Sequence, residues 1–313
     1  MFRLAHISDV HLGPLPDVAY RDLVSKRITG YVNWHRNRRQ FLHDNVIDTI
    51  VADMKASAPD HIAVTGDLVN LALDIEIDMA RQWLELLGSG DDVSVVPGNH
   101  DAYVPGAFDK VCRAWGAWMT SDRGNPPRDR KAFPYLKVRG AVALIGVTSA
   151  RATAPFMATG YFRESQCRRL TRLLDETGKK GLFRVVMIHH PPIRSAVPQH
   201  KRLFGIGRFQ KAVHKHGAEL VLHGHSHLPS LYSIAGPDGP VPVVGVAATG
   251  QAPGGSKPAA QYNLLDISGE KGDWTLRLTR RGLTGAALPP SDLMSMDLIG
   301  ETLPAAEPIA VRS

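Results

Sequence analysis

Cysteine is nearly absent from this chain. Cys112 and Cys167 are the only two among 313 residues, and no metal-binding spacing joins either to another thiol. A zinc-thiolate site therefore has no basis in the sequence, and no disulfide framework is suggested. Cytoplasm is the expected compartment. Long hydrophobic runs are missing too, so no segment reads as a membrane span. A signal-peptide pattern is also lacking: Met1-Phe2-Arg3 leads straight into Leu4-Ala5-His6-Ile7, which reads as a strand. Charge of one sign is not in great excess. Lys plus Arg number 37 and Asp plus Glu 30, a difference of 37 − 30 = +7. That balance suits an anionic substrate or a membrane surface and does not indicate nucleic acid.

What is present is an ordinary soluble composition, 43% hydrophobic and 21% charged, long enough for one large α/β domain. Strands are expected at Phe2–Ile7, His61–Thr65, Val93–Val96, Ala141–Val147, Phe183–Ile188 and Glu219–Leu222. Helices are expected at Gln40–Ala56, Ile75–Leu87, Gly106–Trp118, Glu164–Glu176 and Arg208–His216. This alternation predicts an α/β fold with parallel strands. Leu231–Ile234, Val241–Ala247, Gln261–Ile267 and Trp274–Arg280 have no helices between them and are expected to form an antiparallel run closing a second sheet. Two sheets packed face to face with helices outside would result. The domain is expected to span residues 1–282. The Ala/Pro-rich stretch 283–313 reads as a peripheral or partly disordered extension.

Five short motifs carry the chemistry: Asp9-Val10-His11, Gly66-Asp67, Gly98-Asn99-His100-Asp101, His189-His190-Pro191-Pro192 and Gly224-His225-Ser226-His227. Each follows a strand candidate by a few residues, and ligands of open α/β sheets gather at the carboxyl ends of strands. Asp9 and His11, if extended, point the same way. Gly66 lets the backbone turn sharply beside Asp67, whose two oxygens suit a bridge between two metals. Asn99 adds a neutral oxygen. Two divalent ions with Asp9 and Asp67 leave a residual charge of about +2, which attracts a phosphate ester and lowers the pKa of a bound water. Ions roughly 3.5–4 Å apart can hold a hydroxide between them. His100 is a candidate acid for the leaving alkoxide, and Asp101 a candidate partner for its other ring nitrogen. Spacing alone leaves His189 and His190 as alternatives, and likewise His223, His225 and His227. Trp115 and Trp118, at helical spacing, read as core.

These five motifs, in this order, resemble those of the calcineurin-like metallophosphoesterases, over about residues 1–280 and without a departure. The resemblance implies a four-layered α/β/β/α sandwich with two mixed central sheets. It implies one metal on Asp9, His11, Asp67 and His227, and another on Asp67, Asn99, His189 and His225. His190 and His223 are then not ligands, and His100 is the acid or phosphate-stabilising residue. Nitrogen and oxygen donors without thiolate suit Mn, Fe, Zn or Co. Within the superfamily the motif wording is similar to the class III cyclic-nucleotide and glycerophosphodiester phosphodiesterases, so a small-molecule phosphodiester is the expected substrate. Phosphomonoesters are an alternative. Another alternative is the pyrophosphate of a UDP-linked lipid A precursor at the membrane surface, although the related group that cleaves it has Arg where this chain has His100. A non-catalytic scaffold is the reading from another class, but no ligand position is lost.

One stretch lies outside the motifs. Residues 20–40, YRDLVSKRITGYVNWHRNRRQ, carry six basic residues, Arg21, Lys26, Arg27, Arg36, Arg38 and Arg39, against one acid, Asp22, with apolar residues interleaved. This segment is expected beside the metal site, facing a phosphate-rich substrate or an anionic membrane surface, unless it is simply a solvated helical face. His200–Phe209 is a second basic-apolar stretch, read as pocket wall or surface loop.

Overall fold

A computed structural model of the chain describes residues 1–15, 25–34, 44–286 and 288–300. Short β-branched runs form the strands that hold the site. β1 (Phe2–Ile7), β2 (His61–Val64) and β3 (Val93–Val95) run parallel and side by side. β5 (Val142–Gly146), β7 (Phe183–Met187), β9 (Leu220–His223) and β11 (Pro240–Gly245) make a second parallel set. Antiparallel neighbours flank both. β4 (Tyr135–Arg139) borders β5, and β10 (Ser230–Ala235) borders β11. On the first sheet, β12 (Gln261–Ser268) pairs with β1, and β13 (Thr275–Gly282) and β14 (Ser291–Ile299) follow outward. The two six-stranded sheets are therefore mixed, ordered β14-β13-β12-β1-β2-β3 and β10-β11-β9-β7-β5-β4. A third small sheet pairs β6 (Gly160–Tyr161) with β8 (Leu203–Phe204).

Strand alternation builds the layers. Phe183, Val185 and Met187 of β7 join Leu4, Leu265 and Leu278 in the core between the sheets. Val186 of β7 and Ile188 just beyond it point the other way and meet Leu170 and Leu174 of α5 (Glu164–Lys179) and Phe209 of α6 (Ile206–His216). Against the first sheet lie α2 (Asp44–Ala56), through Ile50 and Met54, and α3 (Asp74–Leu87), through Ile77 and Leu84. Trp115 and Trp118 close the end of α4 (Ala107–Ala114) and are buried, their indole N–H groups donating to the Ile77 and Gly88 carbonyls. A short α1 (Arg27–Asn33) precedes α2. The architecture is a four-layered α/β/β/α sandwich.

Two expectations need correction. The late antiparallel run does not close one sheet. β10 and β11 enter the second sheet, but β12 crosses back to β1, and β13 follows it. The return is a five-residue antiparallel ladder between β12 and β1, and Tyr262 and Arg281 tie it to Asp53 of α2, with Arg281 Nε and Nη2 each 3.0 Å from the carboxylate oxygens. The boundary at residue 282 also fails as the edge of the sheet. Ser291–Ile299 is a nine-residue edge strand with two register irregularities against β13. Its alternation is soft because Met294 and Met296 are only half-buried while Leu293 is exposed. Residues 301–313 lie outside the described residues.

An uncovered β13 would present unpaired backbone groups to other chains. A chain ending at Pro290 should therefore melt several degrees below one ending at Gly300 and should self-associate with concentration, as read by calorimetry and light scattering. Equal melting temperatures and equal monodispersity would contradict the structural role of β14.

Candidate metal centre

Parallel strands end together, and the motifs sit on those ends. Asp9 follows β1, Asp67 follows β2, Asn99 follows β3, His189 follows β7 and His225 follows β9. Backbone bonds stitch the loops: Asp9 N–H donates to Gly66 O at 2.9 Å, His11 N–H to Asp67 O at 3.0 Å and Gly224 N–H to His189 O at 3.1 Å. Asp9 and His11 do not gain their common direction from extended backbone, as expected above. Both are left-handed, at φ 51° and 48°, and so are Asp67 at 57°, His225 at 69° and His227 at 57°. Such conformations cost non-glycine residues energy and persist where surrounding bonds over-determine them. Glycines permit the close approach. A Cβ on Gly98 would overlap the Asp67 carboxylate, and one on Gly224 would overlap Ser8 and Asp9.

The side chains converge. His227 Nε2 lies 3.2 Å from Asp9 Oδ1, a buried oxygen with no hydrogen bond among the described residues. His189 Nε2 lies 3.4 Å from Asp67 Oδ2 and 3.1 Å from Asn99 Oδ1, and His11 Nε2 is 4.0 Å from Asp67 Oδ2. Ligand atoms of Asp9, His11 and His227 all fall within 4.8 Å of one another, and so do those of Asp9, Asp67 and His189. Three of the four candidate imidazoles turn their second nitrogen to a carbonyl. His11 Nδ1 donates to Val69 O, His189 Nδ1 to Thr65 O, and His225 Nε2 to Lys201 O. That is how protein metal sites fix a tautomer and aim the other nitrogen inward. A buried set of carboxylates and imidazoles aimed at each other, without thiolate, fits divalent transition metals.

His190 and His223 are placed differently. Ser149 Oγ and Ala158 O occupy the two nitrogens of His190. Those of His223 face Gly224 O and Ser230 Oγ. Burial pushes His190 down to about 3 and His223 down to about 4, so both are neutral.

His100 and Asp101 part company, which corrects the expected pairing. His100 Nδ1 donates to Asn70 O at 2.6 Å, and its ring stacks on Tyr103 at 5.3 Å. Asp101 is fully buried and accepts four backbone N–H groups, from Asp67 at 2.8 Å, Gly98 at 2.7 Å, Leu68 at 2.9 Å and Val69 at 3.2 Å. It holds the second and third motifs together, and its carboxylate bonds lie on those N–H groups while the His100 ring bonds Asn70 O. Burial and the Asp67 charge push its pKa up to about 7 against the pull of those donors.

Beside the centre is a cavity of about 430 Å³ lined by both metal-ligand candidates and the basic segment. Lys26, Thr29, Gly30 and Trp34 reach it from around α1, Phe156, Met157 and Ala158 from one loop, and His200 and Lys201 from another. Of residues 20–40, Lys26, Thr29, Gly30 and Trp34 are the ones the described structure places at the cavity. Arg21, Asp22, Arg36, Arg38 and Arg39 lie outside the described residues, and with them most of the membrane-surface reading. Asn70, Tyr103 and Lys257 were not singled out from the sequence. No motif marks them, and only the folded loops bring them to the cavity.

The calcineurin-like phosphoesterase family profile matches residues 2–229, and the chain belongs to that family. Enzymes of this family use a two-metal centre. Among solved structures, a dimetal phosphatase from Danio rerio is similar at TM-score 0.62 and 13% identity, with 96% of this chain and 99% of that one covered. A purple acid phosphatase from yellow lupin (Lupinus luteus) seeds is similar at TM-score 0.57 and 13% identity, with 95% and 53% covered. At such identities the similarity is one of fold. No curated protein sequence matches the chain. No described helix is long and apolar enough to cross a membrane.

Two outcomes test the site. Asp101→Ala strands four buried N–H groups and should cost about 2–4 kcal/mol by urea denaturation, whereas His100→Ala should cost under about 1 kcal/mol. Equal losses would refute the division of roles. The second test uses metal-free protein. Burial opposes the charge on His189, but Asp67 outweighs it and raises the imidazole to about 9. A raised pKa means stability that is full below the ordinary value near 6.5 and lost as pH rises through about 9. Melting temperature should fall across that range, and the step should vanish in His189→Gln. A metal-free melting temperature that is flat from pH 7 to 10 would remove the Asp67–His189 pair from the account.

Proposed function

We propose that the chain is a binuclear metal-dependent phosphodiesterase acting on a small molecule. Asp9, His11, Asp67 and His227 would hold one ion, and Asp67, Asn99, His189 and His225 the other. Two such ions supply an activated water and neutralise the phosphoryl oxygens. The observation that carries the reading is the convergence of Asp9, Asp67 and His189 on one buried point next to an open cavity. Its volume, about 430 Å³, lies in the range of small-molecule pockets.

His100 is the group for the leaving alkoxide. With Nδ1–H committed to Asn70 O, proton exchange falls to Nε2. The stacked Tyr103 ring holds the imidazole plane against rotation. Asp67 Oδ1 accepts the His100 backbone N–H at 2.7 Å, so the acid and the bridging candidate are fixed to one another. A proton donor beside the metal ligands serves an ester whose alkoxide leaving group needs protonation more than an activated aryl ester.

Turnover of bis(4-nitrophenyl) phosphate by metal-loaded protein tests the reaction. Asp67→Ala should lower kcat/KM by more than about 10³-fold, as expected when a bridging ligand is lost. His100→Ala should lower it by about 10²-fold for an alkyl leaving group and much less for nitrophenolate. A loss independent of leaving group would deny His100 the acid role, and full activity of metal-replete Asp67→Ala would end the two-metal reading.

A further inference from the structure

Lys26 is the one basic side chain of the 20–40 segment that the described structure builds into the cavity wall. Arg27, its neighbour, turns away: Nε donates to Leu71 O at 3.0 Å and Nη2 to Ala72 O at 2.6 Å, which moors α1 to the loop after Asp67. Gly30 completes the mooring, because a Cβ there would meet Leu71 Cδ2 and the Tyr103 hydroxyl at 2.5 Å. Lys26 is thereby aimed across the cavity. Its ammonium donates to Thr153 Oγ1 at 2.6 Å and Met157 O at 2.7 Å, and sits 4.5 Å from the Tyr103 ring centroid. Tyr103 is the ring that stacks on His100.

Three features make this ammonium an anion receptor. Neither of its acceptors is a carboxylate, so its charge is not cancelled by contact. An ammonium has three N–H donors, and these bonds use two. Burial lowers its pKa to about 8, so it remains mainly charged at neutral pH while being poorly hydrated. Lys201 and Lys257 border the same cavity, and Asp67, a metal-ligand candidate, is the sole acid among its described lining residues. The metal centre already answers the charge of one phosphoryl group. Lys26, which meets no carboxylate, has no counterpart in a singly charged diester and would repel a cationic headgroup.

We propose that Lys26 binds a second anionic group of the substrate, beyond the phosphorus held at the Asp/His cluster, so that the enzyme selects doubly charged phosphate-linked compounds over singly charged diesters. This rests on the phosphoesterase reading of the site and narrows its substrate class. Trp34, Phe156 and Met157 on the same walls offer apolar surface for the organic part. Because Lys26 reaches His100 only through Tyr103, its effect belongs to binding.

Competition against bis(4-nitrophenyl) phosphate turnover tests it, using ADP-ribose, whose pyrophosphate carries two negative charges, and 3′,5′-cyclic AMP, which carries one. ADP-ribose should compete at least about tenfold better. Lys26→Met should weaken ADP-ribose by about tenfold, as for loss of one charge-assisted bond, and cyclic AMP by under about threefold, while Lys26→Arg should retain most of the difference. Melting temperatures of both variants show whether α1 stays docked. Equal competition by the two nucleotides, or an equal loss for both in Lys26→Met, would overturn the proposal and leave the phosphoesterase standing. Absence of any turnover would instead defeat the phosphoesterase reading. Calorimetric binding of a methylene-bridged ADP-ribose analogue would then still decide the role of Lys26, which fails if wild type and Lys26→Met bind it equally.

Discussion

Four backbone N–H groups from two different loops end on one buried carboxylate, Asp101. The rest of the centre depends on that convergence. The Gly66–Val69 turn has no strand partner of its own at this point, and its N–H groups would be stranded in a dry interior. Asp101 collects three of them and the Gly98 N–H besides. Once the turn is fixed, Asp67 Oδ2 lies toward His189 and Oδ1 accepts the His100 N–H. Glu76 repeats the device one turn further on. It is buried on α3 and accepts the N–H groups of Asn70, Leu71 and Leu73, which fixes the Asn70 carbonyl that orients His100. Two acids that touch no substrate therefore set the geometry of the groups that would.

The strain at the site follows from the same constraint. Five of the seven metal-ligand candidates have φ between 48° and 69°. A strand that ends and turns at once is the shortest way to bring a side chain over the sheet edge, and left-handed backbone makes that turn. The energy is supplied by the bonds between neighbouring loops and by the parallel strands below, which are buried on both faces. A centre held this way needs little reorganisation to accept an ion, which is what a catalytic site gains from rigidity.

Much of this was legible in the sequence. Val, Ile and Leu runs ending in Asp, Asn or His marked the strand ends, because a doubly buried parallel strand needs continuous apolar residues and its ligand must follow directly. The return of β12 to β1 was not legible, since sheet membership is decided by remote contacts such as Asp53 with Arg281, and periodicity does not encode them. β14 was hidden by methionines on a half-exposed edge, where alternation is weak. Asp101 misled for a simpler reason. Adjacency to His100 suggested a side-chain pair, but a tight turn directs successive side chains apart, and a buried aspartate beside unpaired N–H groups satisfies those first. Lys26 was visible as one charge among six, and only the docking of α1 through Arg27 and Gly30 distinguishes it from the others.

Histidines within one small volume also divide by neighbour and not by burial. His6, His190, His223 and His225 are all buried, and burial drives each below its ordinary value, His6 to about 3. His189 is equally buried but faces Asp67, and it is raised to about 9. Protons are thus held at the carboxylate-facing position and refused at His225. The acid-facing imidazole is thus set apart from its neighbours by Asp67, at the point where Asp9, Asp67 and His189 converge.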